Sequence, residues 1–313
     1  MSSICKTILD AVGNTPLVEL QHLTGPDDAR ILVKVESVNV GGSIKTRTAL
    51  NMIEAAEREG VLVPSSVIIE PTSGNQGIGL ALVCAVKKYK CIIVMPDSVS
   101  PERRHILNLY GAEVVLVPDH DNIGECIENC LKKAEEIKAN TPNGFIPQQF
   151  SNPHNPEVHR RKTAIEILEQ LGDETADAFC AGFGTGGTLT GIGSILKGKF
   201  PQLKVVAAEP ENAAILAGGA IGSHLQQGIG DGLIPDNLDV DLIDENLIIT
   251  DEEALQTSRD LALHEGLGVG ISAGTNVACA LRLAKRYGKG KTIITVLPDS
   301  YDRYYSTPLF TES

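Results

Sequence analysis

Short apolar runs rich in valine and isoleucine recur through the chain and alternate with stretches of helical periodicity. The runs are nearly continuous in apolar character, which is typical of parallel strands that are buried on both faces. The runs are ILVKVE, SVIIEP, CIIVMP, AEVVLVP, ADAFCAG, KVVAAEP and TIITVLP. This pattern predicts an α/β fold with two open, mostly parallel sheets flanked by helices.

The stretches between these runs predict helices, and several of them end at a glycine. They include TALNMIEAAEREG, QGIGLALVCAVKKY, PERRHILNLYG and DNIGECIENCLKKAEEIKAN. Further along, Thr250 and Glu253 have the spacing of a capping box, and Gly266 follows as a helix stop. We therefore expect a helix to begin just after Thr250 and to end near Gly266.

Charge and cysteine usage narrow the class of function. The net charge of -13 disfavours a nucleic-acid or anionic-membrane partner and favours small-molecule chemistry. We find neither a secretory leader nor an apolar run long enough to cross a bilayer, so we expect a cytoplasmic location. The seven cysteines are scattered and form no C-x-x-C pair, so neither a disulfide nor a metal site is predicted.

Lys45 lies in the glycine-rich segment NVGGSIKTR, between a predicted strand and a predicted helix. A phosphate-binding P-loop requires a glycine directly before the lysine, and Ile44 occupies that position, so the P-loop is excluded. Two interpretations stay open from the residues alone. Lys45 is either an ordinary surface lysine or a lysine in a dry pocket that forms a Schiff base with a carbonyl group.

A second glycine-rich segment, AGFGTGGTLTGIG, follows the run ADAFC and opens a predicted helix. Backbone N–H groups at such a helix start can bind a phosphate. Gly182, Gly184 and Gly187 also satisfy the G-x-G-x-x-G pattern of dinucleotide enzymes, and Glu209 lies near the distance expected for a ribose-binding acid. A nicotinamide cofactor is therefore an alternative to an isolated phosphate group.

Two further polar clusters lie at predicted helix starts. PTSGNQG, residues 71–77, offers the side chains of Thr72, Ser73 and Asn75 beside free N–H groups, which suits a carboxylate or a phenolic oxygen. GISAGTN places Ser272 at the start of another helix. Each cluster alone is more often a helix cap than a ligand site, but their joint occurrence needs one explanation.

Together these motifs resemble the cysteine synthase and cystathionine β-synthase family of pyridoxal-phosphate (PLP) enzymes of fold type II, whose fold is like that of the tryptophan synthase β subunit. The resemblance extends from VGNTPLVEL at Val12 to PDSYDRYYSTPLF near the C-terminus. It implies that Lys45 carries PLP as a Schiff base. It also implies ring contacts from Asn75 to the phenolic oxygen and from Ser272 to the pyridine nitrogen. The residues expected to bind the phosphate are Gly184, Thr185, Gly186, Gly187 and Thr188. Those expected to bind the substrate carboxylate are Thr72, Ser73, Asn75 and Gln148.

The resemblance further implies two domains, a homodimer and, as a partner, a serine acetyltransferase. The larger, cofactor-binding domain would comprise residues 1–40 and 151–313. Residues 41–150 would form a smaller mobile domain that closes over the substrate.

The implied reaction is β-replacement on a serine- or cysteine-type amino acid through an α-aminoacrylate intermediate. A neutral hydroxyl at the pyridine nitrogen makes the ring a weaker electron sink, which favours β-elimination and β-addition. Lys45 would be the general base, and Ser73 would contribute to catalysis. The leading expectation is synthesis of cysteine from O-acetylserine and sulfide.

Several positions depart from the family pattern. Val40 and Thr46 replace a proline and an aspartate, and Gln76 replaces a threonine on the loop expected to close over the substrate carboxylate. Asp231 occupies a position where the family mostly has a small uncharged residue. Either it is a plain Asp-Gly turn residue, or it acts as a general acid and base that lets water convert cysteine to serine and sulfide.

Two remote alternatives come from other classes of protein. A non-catalytic paralogue could bind PLP and act as a sensor, although it would have little need of Lys45, Ser73, Asn75 and Ser272. A nicotinamide-dependent dehydrogenase would explain the glycine motif alone and would leave the other clusters unexplained.

Overall fold

The computed structural model describes residues 4–72, 74–118 and 123–311 and contains two sheets. The larger has six strands in the order β1-β2-β10-β7-β8-β9, and the smaller has four in the order β5-β4-β3-β6. All pairs of neighbouring strands are parallel except β1 and β2. This confirms the predicted fold class. The strands are β1 (Leu17–Glu19), β2 (Arg30–Val35), β3 (Val67–Pro71), β4 (Lys90–Pro96), β5 (Glu113–Val117), β6 (Gly144–Phe145), β7 (Ala178–Gly182), β8 (Lys204–Pro210), β9 (Glu245–Ile249) and β10 (Thr292–Leu297).

Burial on both faces explains why the central strands could be read from the sequence. Every residue of β10 is buried, and so are all but one of β2. Three strands were missed. β1 and β6 have only three and two residues, and β9 lies at the edge of its sheet with most of its residues half-buried.

Helices cover both faces of each sheet. They are α1 (Lys45–Arg58), α2 (Asn75–Lys87), α3 (Pro101–Leu109), α4 (Ile123–Ala139), α5 (His154–Val158), α6 (Ala164–Leu171), α7 (Gly187–Lys199), α8 (Asp251–Glu265), α9 (Ile271–Tyr287) and α10 (Pro308–Thr311). The capping box of Thr250 and Glu253 is formed, and Gly266 ends α8 in the left-handed conformation, as predicted. None of the helices in the described ranges has the length and apolarity needed to cross a bilayer.

The larger sheet is built from both ends of the chain. β1 and β2 come before the smaller sheet in sequence, whereas β7 to β10 come after it. All four strands of the smaller sheet lie within residues 67–145, inside the range 41–150 predicted for the smaller domain. The exact domain boundaries remain a prediction.

A buried ion-pair network fixes the helix that carries Lys45. Arg47, in the first turn of α1, donates to Glu36 at 2.8 Å and to Glu166 of α6 at 2.6 Å. Lys34 of β2 lies 2.9 Å from Glu166. Burial is the largest single effect and raises the pKa of Glu166, but the hydrogen bonds and charge of Arg47 and Lys34 together outweigh it and hold the pKa down at about 2. α1 is thereby tied to the larger sheet at the end where Lys45 lies.

Candidate active site

A cavity of about 330 Å³ lies where loops from both sheets meet. The loops that follow β3, β7 and β10 all border it, and parallel strands place such loops at the same edge of a sheet. Nine of the twelve candidate site residues predicted from the sequence border this cavity, Gly187 and Gln148 do not, and Ser73 lies outside the described residues. The bordering ones are Lys45, Thr72, Asn75, Gly184, Thr185, Gly186, Thr188, Asp231 and Ser272.

Lys45 is the first residue of α1, and its amine points into the cavity. Its Nζ donates to Thr185 Oγ1 at 3.4 Å. Burial lowers the pKa of Lys45, against the attraction of the Asp231 and Asp299 carboxylates. A larger fraction of the amine is therefore neutral than for a surface lysine, as nucleophilic attack on a carbonyl and proton abstraction both require.

The glycine-rich loop between β7 and α7 brings bare backbone to the cavity. Gly186 has a φ of +77°, which glycine adopts without strain. A Cβ on Gly184 would lie 2.7 Å from the carbonyl oxygen of Gly228, and a Cβ on Gly187 would collide with Asn155. At these glycine positions the loop therefore has room for backbone only, which is the arrangement that suits an anion at a helix start.

Asn155 is a buried residue of this site that the sequence reasoning missed. Its Nδ2 donates to Thr185 Oγ1 at 2.9 Å and to the carbonyl oxygen of Gln149 at 2.8 Å. Since Thr185 Oγ1 accepts from both Asn155 and Lys45, the hydroxyl hydrogen of Thr185 is left to donate to another acceptor. Asn155 lies in the segment SNPHNPEVH, residues 151–159, whose residue spacing carries no signal of this contact.

The turn between β3 and α2 carries Thr72 and Asn75 of the polar cluster PTSGNQG. Thr72 borders the cavity, and Asn75 is the first residue of α2. The predicted catalytic residue Ser73 lies outside the described residues. Asn75 is held at both ends of its carboxamide by Asp299 and Arg303, two further residues that the sequence did not single out.

The structure places the two adjacent glutamines of PQQF differently. Gln148 is exposed, has a φ of +60° and does not border the cavity, whereas Gln149 is only 5% exposed and borders it. Glu70 of β3 accepts from the backbone N–H groups of both glutamines, at 3.1 and 3.0 Å. Burial raises the pKa of Glu70 to about 7, against these two hydrogen bonds.

Ser272 and Asp231 face the cavity from other loops. Ser272 is the second residue of α9 and is 4% exposed. Asp231 lies over the glycine-rich loop, since its Oδ2 is 2.8 Å from where a Cβ on Gly184 would be. Burial raises the pKa of Asp231, partly offset by Lys45 and His224. The Asp-Gly turn is present, with Gly232 at a φ of +74°, but the carboxylate of Asp231 borders the cavity.

The dinucleotide alternative finds little support in the position of Glu209. Both of its carboxylate oxygens are already bonded within the fold, to the N–H of Leu216 at 2.9 Å and to Asn246 at 2.8 Å. Across the described part of the chain, no group of three or more histidine, cysteine, aspartate or glutamate side chains is placed to hold a metal ion.

Comparison with known proteins gives matches over nearly the whole chain. A family model described as "Pyridoxal-phosphate dependent enzyme" matches residues 8–299. A cysteine synthase of Staphylococcus aureus is 48% identical over 303 residues, which cover 97% of this chain and 96% of that protein.

Solved structures match equally broadly. O-Ureido-L-serine synthase has a TM-score of 0.93 at 42% identity, covering 99% of this chain and 96% of its own. A hydrogen sulfide-producing enzyme from Fusobacterium nucleatum has a TM-score of 0.91 at 42% identity, with coverages of 97% and 99%. An O-acetylserine dependent cystathionine β-synthase from Helicobacter pylori has a TM-score of 0.91 at 37% identity, with coverages of 99% and 100%.

Proposed function

The chain belongs to the pyridoxal-phosphate dependent enzyme family, and on that premise we propose that it joins sulfide to an activated serine such as O-acetylserine to form cysteine. It is a PLP-dependent enzyme of sulfur amino acid metabolism whose similar proteins are of the β-replacement type. The single observation that supports the site assignment is the approach of Lys45 Nζ to Thr185 Oγ1 at the glycine-rich loop. That approach brings the amine needed for a Schiff base beside the glycine-rich loop at the start of α7.

The residues present fit PLP. Gly184, Gly186 and Gly187 leave only backbone at the loop, and the Thr185 hydroxyl has its hydrogen left to donate, so a phosphate can be bound there. The cavity also offers Lys45 for the carbonyl group. We assign the ring contacts to Asn75 and Ser272, which border the same cavity from the starts of two helices.

When bound, PLP supplies an electron sink for the bond between Cα and its hydrogen. Lys45 would take the Cα proton at Nζ, and its lowered pKa keeps that nitrogen available as a base. Thr72 and Gln149 bind the substrate carboxylate. In this assignment Gln149 takes the place of Gln148, since it is Gln149 that borders the cavity.

The experiment that tests this function uses the purified protein with PLP. We expect a visible absorption band that borohydride removes, together with cysteine formation from O-acetylserine and sulfide. A protein that takes up PLP without forming such a band would contradict the role of Lys45. A protein with the band that uses neither O-acetylserine nor cysteine would contradict the proposed substrates.

A second candidate reaction is supported by Asp231. Its partly buried carboxylate borders the cavity and has a raised pKa. A carboxyl group in such a position can protonate a departing thiolate and then accept a proton from attacking water. The reaction would then run from cysteine and water to serine and sulfide, and the negative charge of Asp231 would disfavour entry of hydrosulfide.

Asp231→Asn distinguishes the two reactions because the amide preserves shape and removes the acid and base function. If water is the nucleophile, serine formation from cysteine should fall by roughly 10²–10⁴-fold, the usual contribution of general acid-base catalysis. Cysteine synthesis from O-acetylserine should be retained or improved. Unchanged serine formation would return Asp231 to the role of a turn residue.

Assembly and location complete the proposal. We propose a cytoplasmic homodimer, with a serine acetyltransferase as a partner and with residues 41–150 closing over the bound amino acid. Measurement of the mass of the holoenzyme in solution would test the dimer directly.

A further inference from the structure

The carboxamide of Asn75 is held at both ends by groups of opposite charge. Its Nδ2 donates to Asp299 Oδ2 at 2.7 Å, and its Oδ1 accepts from Arg303 Nη1 at 2.7 Å. Asp299 is 0% and Arg303 is 2% exposed, so water competes little for either contact. Both hydrogen bonds are charge-assisted and belong to the stronger class.

This arrangement fixes which end of the carboxamide is which. A flipped amide would turn its oxygen toward the Asp299 carboxylate and its NH₂ toward the Arg303 guanidinium, replacing two attractions by two repulsions. With one N–H given to Asp299, the amide nitrogen keeps one further N–H. Asn75 borders the cavity, which is where that second N–H can find an acceptor.

The segment that holds Asn75 also holds the loop before Lys45. The N–H of Ile44 donates to the carbonyl oxygen of Pro298 at 2.9 Å, and the N–H of Ser300 donates to that of Gly42 at 3.1 Å. Arg303 Nη2 donates to the carbonyl oxygen of Gly41. The residues that follow β10 therefore set the position of the Asn75 amide relative to the Lys45 loop.

We propose that Asp299 and Arg303 are positioning residues that lock the Asn75 carboxamide with its remaining N–H toward the cavity, and so favour the ionised form of the cofactor's ring hydroxyl. This inference rests on the proposed function. An N–H donor stabilises an ionised oxygen more than a neutral hydroxyl, because the hydrogen bond to the ionised oxygen is charge-assisted. The ionisation state of that oxygen is observable, since it determines the visible absorption of the bound cofactor.

The test is a double-mutant cycle on the PLP-loaded protein, with Asp299→Asn, Asn75→Ala and the two combined. The measured quantity is the pH at which the ring oxygen takes up a proton and half of the visible band is lost. Asp299→Asn should shift this midpoint upward by about one pH unit, a tenfold change in the proton equilibrium. Asn75→Ala should shift it in the same direction, and the double variant should match Asn75→Ala.

Tyr304→Phe is the matched control. Tyr304 donates to the same oxygen, Asp299 Oδ2, at 2.6 Å but does not bond Asn75 in the described structure. Its phenylalanine variant should leave the midpoint within a few tenths of a unit. Any of three results would overturn the proposed role of Asp299. They are an equal shift in Tyr304→Phe, full additivity in the double variant, and no shift in Asp299→Asn.

Arg303→Lys tests the other end of the amide while keeping the positive charge. Lysine cannot reproduce the fork that reaches both Asn75 and Gly41, so a partial shift in the same direction is expected. Near-UV circular dichroism of each variant establishes that the fold is retained. A wild-type protein without the visible band would contradict the proposed function. If the wild type has the band but the shifts of Asp299→Asn and Asn75→Ala add in the double variant, only the positioning role of Asp299 is contradicted.

Discussion

At the scale of single residues, Lys45 has two tasks that no neighbour can take over. It is the amine beside the glycine-rich loop, and its lowered pKa makes it available as a base. Arg47, two residues further on, is fully committed to Glu36 and Glu166. Among the described residues that border the cavity, Lys45 offers the one amine.

Lys45→Ala should reduce β-replacement at least about a thousandfold, because the tether and the base are lost together. Lys45→Arg is the matched variant, since it keeps the positive charge but offers no nucleophilic amine. Steady-state rates and the borohydride-sensitive band should be lost in both, with far-UV circular dichroism unchanged. Turnover above a thousandth of wild type in either variant would contradict the assignment.

Residues on helix starts after predicted strands could be found from the sequence, because strand ends bring their loops together. The sequence could not decide whether Gln148 or Gln149 borders the cavity. Adjacent residues point in different directions, and the left-handed backbone of Gln148 decides which side chain borders the cavity. Asp299 and Arg303 were also missed, since they meet Asn75 across more than two hundred residues of chain.

At the scale of elements, the start of α7 should tolerate no side chain. In Gly187→Ala the new Cβ would displace Asn155, whose Nδ2 holds Thr185. We expect weaker PLP binding, by tenfold or more, from loss of at least one oriented hydrogen bond. The measurement is equilibrium dialysis of PLP.

Gly198→Ala provides the control, because it lies near the other end of α7 and a Cβ there meets nothing within 4 Å. It should retain PLP fully and gain up to about 1 kcal/mol of helix stability. Equal PLP affinity in Gly187→Ala and Gly198→Ala would place the phosphate elsewhere.

Glu70 of β3 accepts hydrogen bonds from the segment that carries Gln149, and its raised pKa makes the stability of the fold depend on pH. Its pKa lies near 7 in the fold against an ordinary value of 4.5, so the folded state binds the proton more tightly than the unfolded chain does. The free energy of unfolding therefore falls as pH rises from about 4.5 to about 7.

Glu70→Gln removes this titration. Across that window the free energy of unfolding of the wild type should fall by up to roughly 3 kcal/mol relative to that of Glu70→Gln. Urea unfolding at several pH values measures the difference, with the exposed Glu169→Gln as control. Parallel pH profiles for Glu70→Gln and wild type would show that Glu70 does not titrate there.

Long buried strands were readable from apolar runs alone, but short ones were not. β6 has two residues and no pattern to recognise, and its place in the smaller sheet comes from pairing with β3. The edge strand β9 mixes polar and apolar residues, because one of its sides lacks a neighbouring strand.

At the scale of the whole molecule, the cavity is assembled from both sheets, so its ligand should stabilise the whole fold. Removal of PLP should lower the melting temperature by several degrees, since a ligand at a hundred times its Kd contributes about 2.7 kcal/mol. Thermal melts before and after adding PLP measure this. Pyridoxal without phosphate is the control and should restore much less. Identical melting curves with and without PLP would contradict a site shared by both sheets.

The order of strands in the larger sheet has a consequence for how the chain is made. β2 pairs with β10, so Arg30 meets its partner Thr292 only after the smaller sheet and β7 to β9 have been synthesised. The smaller sheet, in contrast, is contiguous in sequence and can form while synthesis continues. The loop before Lys45 pairs with the residues after β10 and is therefore completed only after β10 has been made. A nascent chain stalled before β10 would expose β2 and lack the finished pocket, so capture of the cofactor must wait until β10 and the residues after it have been made.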